Sequence, residues 1–154
     1  MHDDDHTAKC SDTLSQLLLV TTLMEEDMES GLADRGLTLT RAQVLWFLGE
    51  ATQMTQRDLA AQLKVTPRNV TTLIDALEQT GFAKRTAHPT DRRAILVVLT
   101  GKGQQAFSTL KAETTEFAKQ LFGHLSVAEL DAFSKILGQV SSKLTEIAKA
   151  DPNR

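Results

Sequence analysis

The chain is poor in the residues that staple, anchor or catalyse. It has one cysteine, Cys10, in 154 residues, so no intrachain disulfide can form. Its three prolines, Pro67, Pro89 and Pro152, are dispersed, and there is neither an internal repeat nor a low-complexity linker. No apolar run approaches the ~18 residues that a membrane span requires. The first ten residues, MHDDDHTAKC, are polar and acidic, which is the opposite of a secretory leader. A soluble cytoplasmic protein without membrane association is the expectation. There is no phosphate-binding loop, no cluster of metal ligands at convincing spacing and no nucleophile–base constellation. The sequence therefore points away from an enzyme and calls for no cofactor.

What remains is an ordinary globular composition, 41% hydrophobic and 24% charged. At this length roughly 70% of the unfolded chain's surface can be buried, enough for one compact domain. The net charge is −3, but it is unevenly spread. Residues 41–102 hold nine Lys and Arg against five Asp and Glu, a local +4. The rest of the chain holds eight against fifteen, a local −7. A basic middle flanked by acidic ends fits a protein with one anion-binding lobe.

Apolar spacing supplies the helices. Leu14, Leu17, Leu18, Thr21, Met24, Met28 and Leu32 recur at steps of three and four and predict a long first helix. The ten residues before it show no periodicity and are expected to fray. Gly31 and Gly36 are expected to loosen and end the helix. Four later helices start with a local cap: Thr40 with Gln43, Thr55 with Asp58, Thr66 with Pro67 at the first helical position, and Ser126 with Glu129. Leu39, Met54, Val65 and Leu125 precede these caps and can staple to Val44, Leu59, Val70 and Leu130.

Between Gly81 and Gly101 the period changes. Ala83–Ala87 and Ala94–Leu99 read as a β-hairpin with a polar tip, Thr86 to Arg93. After Gly103, Phe107, Leu110, Thr114, Phe117 and Leu121 mark another long helix. Leu130, Phe133, Leu137, Val140, Leu144 and Ile147 form a heptad-like seam in the last one. That seam predicts a homodimer through the terminal helices.

Two short helices and a tight turn over Thr55–Gly81, followed by this hairpin, read as a helix-turn-helix with a wing. Such a device grips duplex DNA at a major groove and an adjacent minor groove. On the helix from Pro67 to Gln79, Val70, Leu73, Ile74 and Leu77 form the core stripe. Arg68, Thr72, Asp75 and Gln79 lie opposite, with Thr71 beside them and Asn69 on a flank. Arg68 can pair bidentately with guanine and Asn69 with adenine, while Thr71 and Thr72 suit thymine or phosphate. Thr66 either contacts phosphate through its hydroxyl or leaves that role to the free N–H groups of the helix. At the wing, Arg92 and Arg93 can enter a narrow minor groove, and Asp91 can orient an arginine. His88 is placed to meet phosphate, and Lys84 and Arg85 sit at the wing's base within reach of the DNA backbone.

The segment TPRNVTTLIDALEQTGFAKRTAHPTDRRAILVVLTGKG resembles the DNA-binding core of the MarR (multiple antibiotic resistance regulator) family. The resemblance spans about residues 40–103, and its most specific part is Asp91, Arg93, Leu99, Thr100 and Gly103. It implies a mainly α fold with a small β-hairpin. A winged helix-turn-helix lobe over 40–103 would join a helical dimerisation lobe over 11–36 and 104–150, within one domain, 1–154. It implies a two-fold dimer on a pseudo-palindromic operator, with Arg93 as the minor-groove arginine and Asp91 as its support. It also implies a repressor that releases DNA when a small lipophilic or phenolic effector binds. A cleft for that effector would draw on Leu17, Met24, Met28, Trp46 and Phe107. One branch of the family senses peroxide with an N-terminal cysteine, but this chain lacks the tyrosines that commonly help activate it there. His2, His6 and Cys10 share a helical spacing, yet a frayed terminus is the better reading than a metal site. The alternative to DNA binding is a winged-helix protein-interaction module.

Overall fold

The computed structural model describes residues 2–91 and 94–150. Among the described residues, six helices and three strands follow one another: α1 (His2–Ala33), α2 (Leu39–Ala51), β1 (Gln53–Thr55), α3 (Gln56–Leu63), α4 (Pro67–Gln79), β2 (Ala83–Ala87), β3 (Ile95–Leu99), α5 (Gly101–Phe122) and α6 (Val127–Ala150). Two compact units divide at Ser108 and Thr109, inside α5, so α1 falls in the same unit as the sheet. The fold is mainly α with a small antiparallel sheet, as the periodicities imply.

Three caps fall where the sequence places them. Thr55 Oγ1 accepts from the Asp58 amide at 3.1 Å and donates to the Asp58 carboxylate at 2.7 Å. Thr66 Oγ1 accepts from the Asn69 amide at 3.2 Å, with Pro67 at the first helical position. Ser126 and Glu129 close a reciprocal box: the Ser126 amide and hydroxyl donate to Glu129 at 2.8 and 2.7 Å, and the Glu129 amide donates back at 3.3 Å. The fourth is corrected. Thr38, not Thr40, caps α2, accepting from the Arg41 amide at 3.3 Å. Both threonines offer the same hydroxyl. The earlier start lets Leu37 sink into the core just before the cap.

The Ser126 contacts hold the Glu129 carboxyl below the ordinary carboxylate range, first through the hydroxyl and then through the backbone N–H. A lowered folded pKa means the stabilisation is fully present above the ordinary range and is lost as pH falls through the folded value. The stability advantage of the natural protein over Glu129→Gln is therefore expected to be constant near neutral pH and to shrink in acid. Paired melts across that range check it.

Three helix ends, those of α1, α3 and α4, share one geometry. Leu37, Val65 and Phe82 each donate an amide to a carbonyl five residues back, and Gly36, Lys64 and Gly81 each donate to one three back. The residue at the bend has positive φ each time: +68° at Gly36, +54° at Lys64 and +76° at Gly81. Lys64 fills a position that favours glycine. The expected loosening at Gly31 does not occur, because α1 runs through it to Ala33.

The fraying expected of the first residues is also corrected, since α1 is helical from His2. Asp4 and Asp5 stand near its positive N-terminal end, and Lys9 pairs with Asp5 at 3.4 Å. Ser11, Thr13 and Ser15 donate to carbonyls one turn back.

The sheet has the order β1-β3-β2, all antiparallel, with Gln53 opposite Val98 and Arg85 opposite Val97. The hairpin matches expectation to within one residue. Strand β1 was not expected: three residues are too few to show a period, and only the edge of β3 makes them a strand. The core of the first unit is Val44, Leu45, Leu48, Leu59, Val70, Ile74, Leu77 and Val97, all under 2% exposed. It fixes α2, α3, α4 and the sheet as one body. Helix α6, by contrast, buries no residue within this chain.

Candidate nucleic-acid interface

Helices α3 and α4 join through the left-handed turn at Lys64, and the wing follows at once. Burial of Val70, Ile74 and Leu77 turns the other face of α4 outward. Arg68, Asn69, Thr71 and Thr72 are all exposed there, near the helix start. Thr66 Oγ1 caps the helix by accepting from the Asn69 amide, which uses a lone pair and leaves its hydroxyl hydrogen to donate. Thr71 and Thr72 donate to Pro67 O at 2.9 Å and Arg68 O at 3.3 Å. Their hydroxyl hydrogens are thus spent within the helix, which leaves both methyl groups and the Thr72 lone pairs for a partner, while Thr71 Oγ1 also accepts from Gln56 Nε2 at 3.4 Å.

On the wing, Lys84 is exposed on β2. His88 braces the turn: its Nδ1 accepts from the Asp91 amide at 3.1 Å and the Thr90 amide at 3.3 Å. Both contacts use Nδ1 and neither uses Nε2. The Ala94 amide donates to Asp91 O at 3.1 Å and closes the described part of the tip. Asp91 is exposed. Arg92 and Arg93, the two wing arginines read from the sequence, lie outside the described residues.

Arg85 departs from the role the sequence suggests. Its side chain is only 23% exposed and turns toward α4 rather than outward. The guanidinium meets Asp75 at 2.7 Å and Glu78, and Nε donates to Gln56 Oε1 at 2.8 Å. Sequence reading placed Asp75 on the outer stripe of α4 and gave Glu78 no role. Neither acid signals its partner, which lies seven to ten residues away on another element. Arg57 and Lys64 were also not singled out. Both are exposed, and both line a groove of about 460 Å³ between α3 and α4, with Gln56, Ala60, Val70 and Thr71 among its walls.

Of the residues suggested for an effector cleft, Trp46 and Phe107 meet edge to face, with centroids 5.7 Å apart at 77°. The Phe107 ring also lies against Gly49 and is buried, while Trp46 is half-buried. Leu17 and Met24 are half-buried on α1, and Met28 is exposed. At the N-terminus, Cys10 Sγ stands 3.8 Å from His6 Nδ1, both exposed. Among the described residues, no group of three or more His, Cys, Asp or Glu gathers. Nor is any helix among them long and apolar enough to cross a membrane.

Residues 37–95 match the model of the MarR family. The chain is 27% identical over 112 residues to YdgJ of Bacillus subtilis, an uncharacterised HTH-type transcriptional regulator, covering 73% of this chain and 68% of YdgJ. It is 28% identical over 102 residues to PrsX of Escherichia coli, an HTH-type transcriptional regulator, covering 66% of this chain and 61% of PrsX. The chain thus spans about three fifths of that relative. Its fold superposes on Streptococcus pneumoniae FabT, solved in complex with DNA, with a TM-score of 0.83 at 21% identity. That likeness covers 89% of this chain and 98% of FabT. The winged helix-turn-helix and the Asp-x-Arg motif lie over the same residues that match the MarR family model, so over this lobe the chain is similar to the MarR family of regulators.

Proposed function

We propose that this protein is a sequence-specific double-stranded DNA-binding transcription regulator, a cytoplasmic repressor that acts as a homodimer and has no catalytic role. The observation that carries the reading is the outward face of α4, where Arg68, Asn69, Thr71 and Thr72 cluster at a capped helix start beside a wing. That is the geometry a major groove admits. The relatives YdgJ and PrsX, named as transcriptional regulators rather than enzymes, support it.

Dimerisation draws support from exposed apolar side chains. Leu14, Leu18, Leu19 and Leu23 on α1 are 56–59% exposed in the single chain, and Leu144 on α6 is 60% exposed. A stable monomer has little reason to leave such rows in water. We assign residues 40–103 to the DNA-contacting lobe and residues 11–36 with 104–150 to the dimerisation lobe. Two recognition helices related by a two-fold axis would read half-sites about one helical turn apart, ~10 bp. Arg93 is assigned to the minor groove with Asp91 as its support, and Arg92, Lys84 and His88 Nε2 to nearby phosphates. A small lipophilic or phenolic effector would release the DNA, as the family resemblance implies.

Two substitutions separate base reading from backbone holding. Arg68→Ala is expected to cost about 1–3 kcal/mol on the preferred duplex and to relax the preference at one base position. Lys84→Ala is expected to weaken every duplex alike and to reduce the slope of log affinity against log salt by about 1. Affinities at several salt concentrations, on preferred and scrambled duplexes, check both. Equal losses on both duplexes for Arg68→Ala would remove α4 from base recognition.

A further inference from the structure

We infer that Arg85 is a positioning residue that sets the wing against the recognition helix, and does not itself hold DNA. This rests on the DNA-binding reading and deepens it.

One guanidinium joins three elements. From β2 it reaches Asp75 and Glu78 on α4, Gln56 at the start of α3 and, at 3.5 Å, the carbonyl of Thr71. The backbone joins in as well. The Arg85 amide, on the edge of β2, donates to Glu78 Oε1 at 2.7 Å. Glu78 therefore grips the strand by both its main chain and its side chain. Gln56 closes the loop, since its Nε2 donates to Thr71 Oγ1 at 3.4 Å. Thr71 is one of the exposed residues on the reading face. A rotation of β2 relative to α4 would break several of these bonds at once.

The planar fork matters more than the charge. An ammonium is a single point and cannot meet two carboxylates and an amide oxygen in fixed directions. An isolated exposed ion pair would contribute little, but this fork is mostly covered and shared among partners, where interactions couple. Arg85 also offsets two carboxylates that would otherwise stand uncompensated beside a surface meant for phosphate.

The test is Arg85→Lys, which keeps the charge and removes the fork, with Asp75→Asn as a second, milder variant. Each is titrated with a duplex selected by the natural protein and with a scrambled duplex, at several salt concentrations, after a melt confirms folding. The ratio of selected to scrambled affinity is expected to fall about tenfold in Arg85→Lys and several-fold in Asp75→Asn. The salt slope should stay unchanged, because no phosphate contact is lost. If Arg85 merely supplies positive charge, Arg85→Lys will behave as the natural protein does, and this inference fails alone. If the natural protein selects no duplex, the DNA-binding reading fails and takes this inference with it.

Discussion

Gly103→Ala is expected to destabilise the protein by more than about 3 kcal/mol, through a single added methyl group. A Cβ built at Gly103 would lie 1.9 Å from the carbonyl oxygen of Phe82, 3.0 Å from its carbon and 3.2 Å from Leu99 Cβ. The obstacle is backbone, and it cannot turn aside. Phe82 O already accepts from the Thr100 amide at 3.0 Å and from the Thr100 hydroxyl at 3.2 Å. The same hydroxyl donates to Gly81 O at 2.6 Å and accepts from the Gly103 amide at 3.1 Å. Lys102 adds its ammonium to Thr80 O at 2.7 Å and lies over the Phe82 ring. The end of α4, the foot of the wing and the start of α5 are thus knotted at one point. At about 2–4 °C per kcal/mol for a chain of this size, the melting temperature should fall by about 10 °C. Gly101→Ala is the control, for its built Cβ meets nothing within 4 Å. It should melt as the natural protein does or slightly higher. Equal melting of both variants would contradict the packing described for this junction.

Gly49→Ala carries the next largest expected effect, about 2 kcal/mol of overpacking. Its built Cβ would lie 2.3–2.5 Å from three atoms of the Phe107 ring. The ring is largely buried and held edge to face by Trp46, so it cannot simply swing away. Relief should come from shrinking the ring. Phe107→Leu alone leaves a gap and destabilises, but in the Gly49→Ala background it should cost less or restore stability. The two changes are expected to be non-additive by about 1 kcal/mol or more, measured by denaturant titration. Additive losses would mean that Gly49 and Phe107 do not share one contact.

What the sequence revealed, and what it concealed, follows from the range of each interaction. The caps at Thr55, Thr66 and Ser126 were legible because donor and acceptor lie within three residues. Thr38 and Thr40 could not be told apart locally, since both precede an apolar helix. Burial of Leu37 decides between them. The polar first turns of α1 gave no periodic signal, because nothing apolar there needs a core. Strand β1 exists only as a partner for β3. The outward face of α4 was legible from period alone, for the buried stripe fixes the opposite one. The partners of Arg85 are not legible for a related reason. Charge was counted along the chain, whereas its partners Asp75, Glu78 and Gln56 are brought to it by the turn at Gly81 and the packing of α3 on α4. Setting aside Arg85, Asp75 and Glu78 leaves eight Lys and Arg against three Asp and Glu in residues 41–102, a surplus of +5.

The most direct test of the central claim is selection of bound duplexes from a random library by the full-length protein, followed by titration of the enriched sequence across salt. An inverted repeat with half-sites about one helical turn apart, ~10 bp, and affinity that falls steeply with salt, is the predicted result. A folded dimer that enriches no sequence and shows no salt-dependent affinity for any duplex would contradict it, and would favour a winged-helix module that binds protein instead.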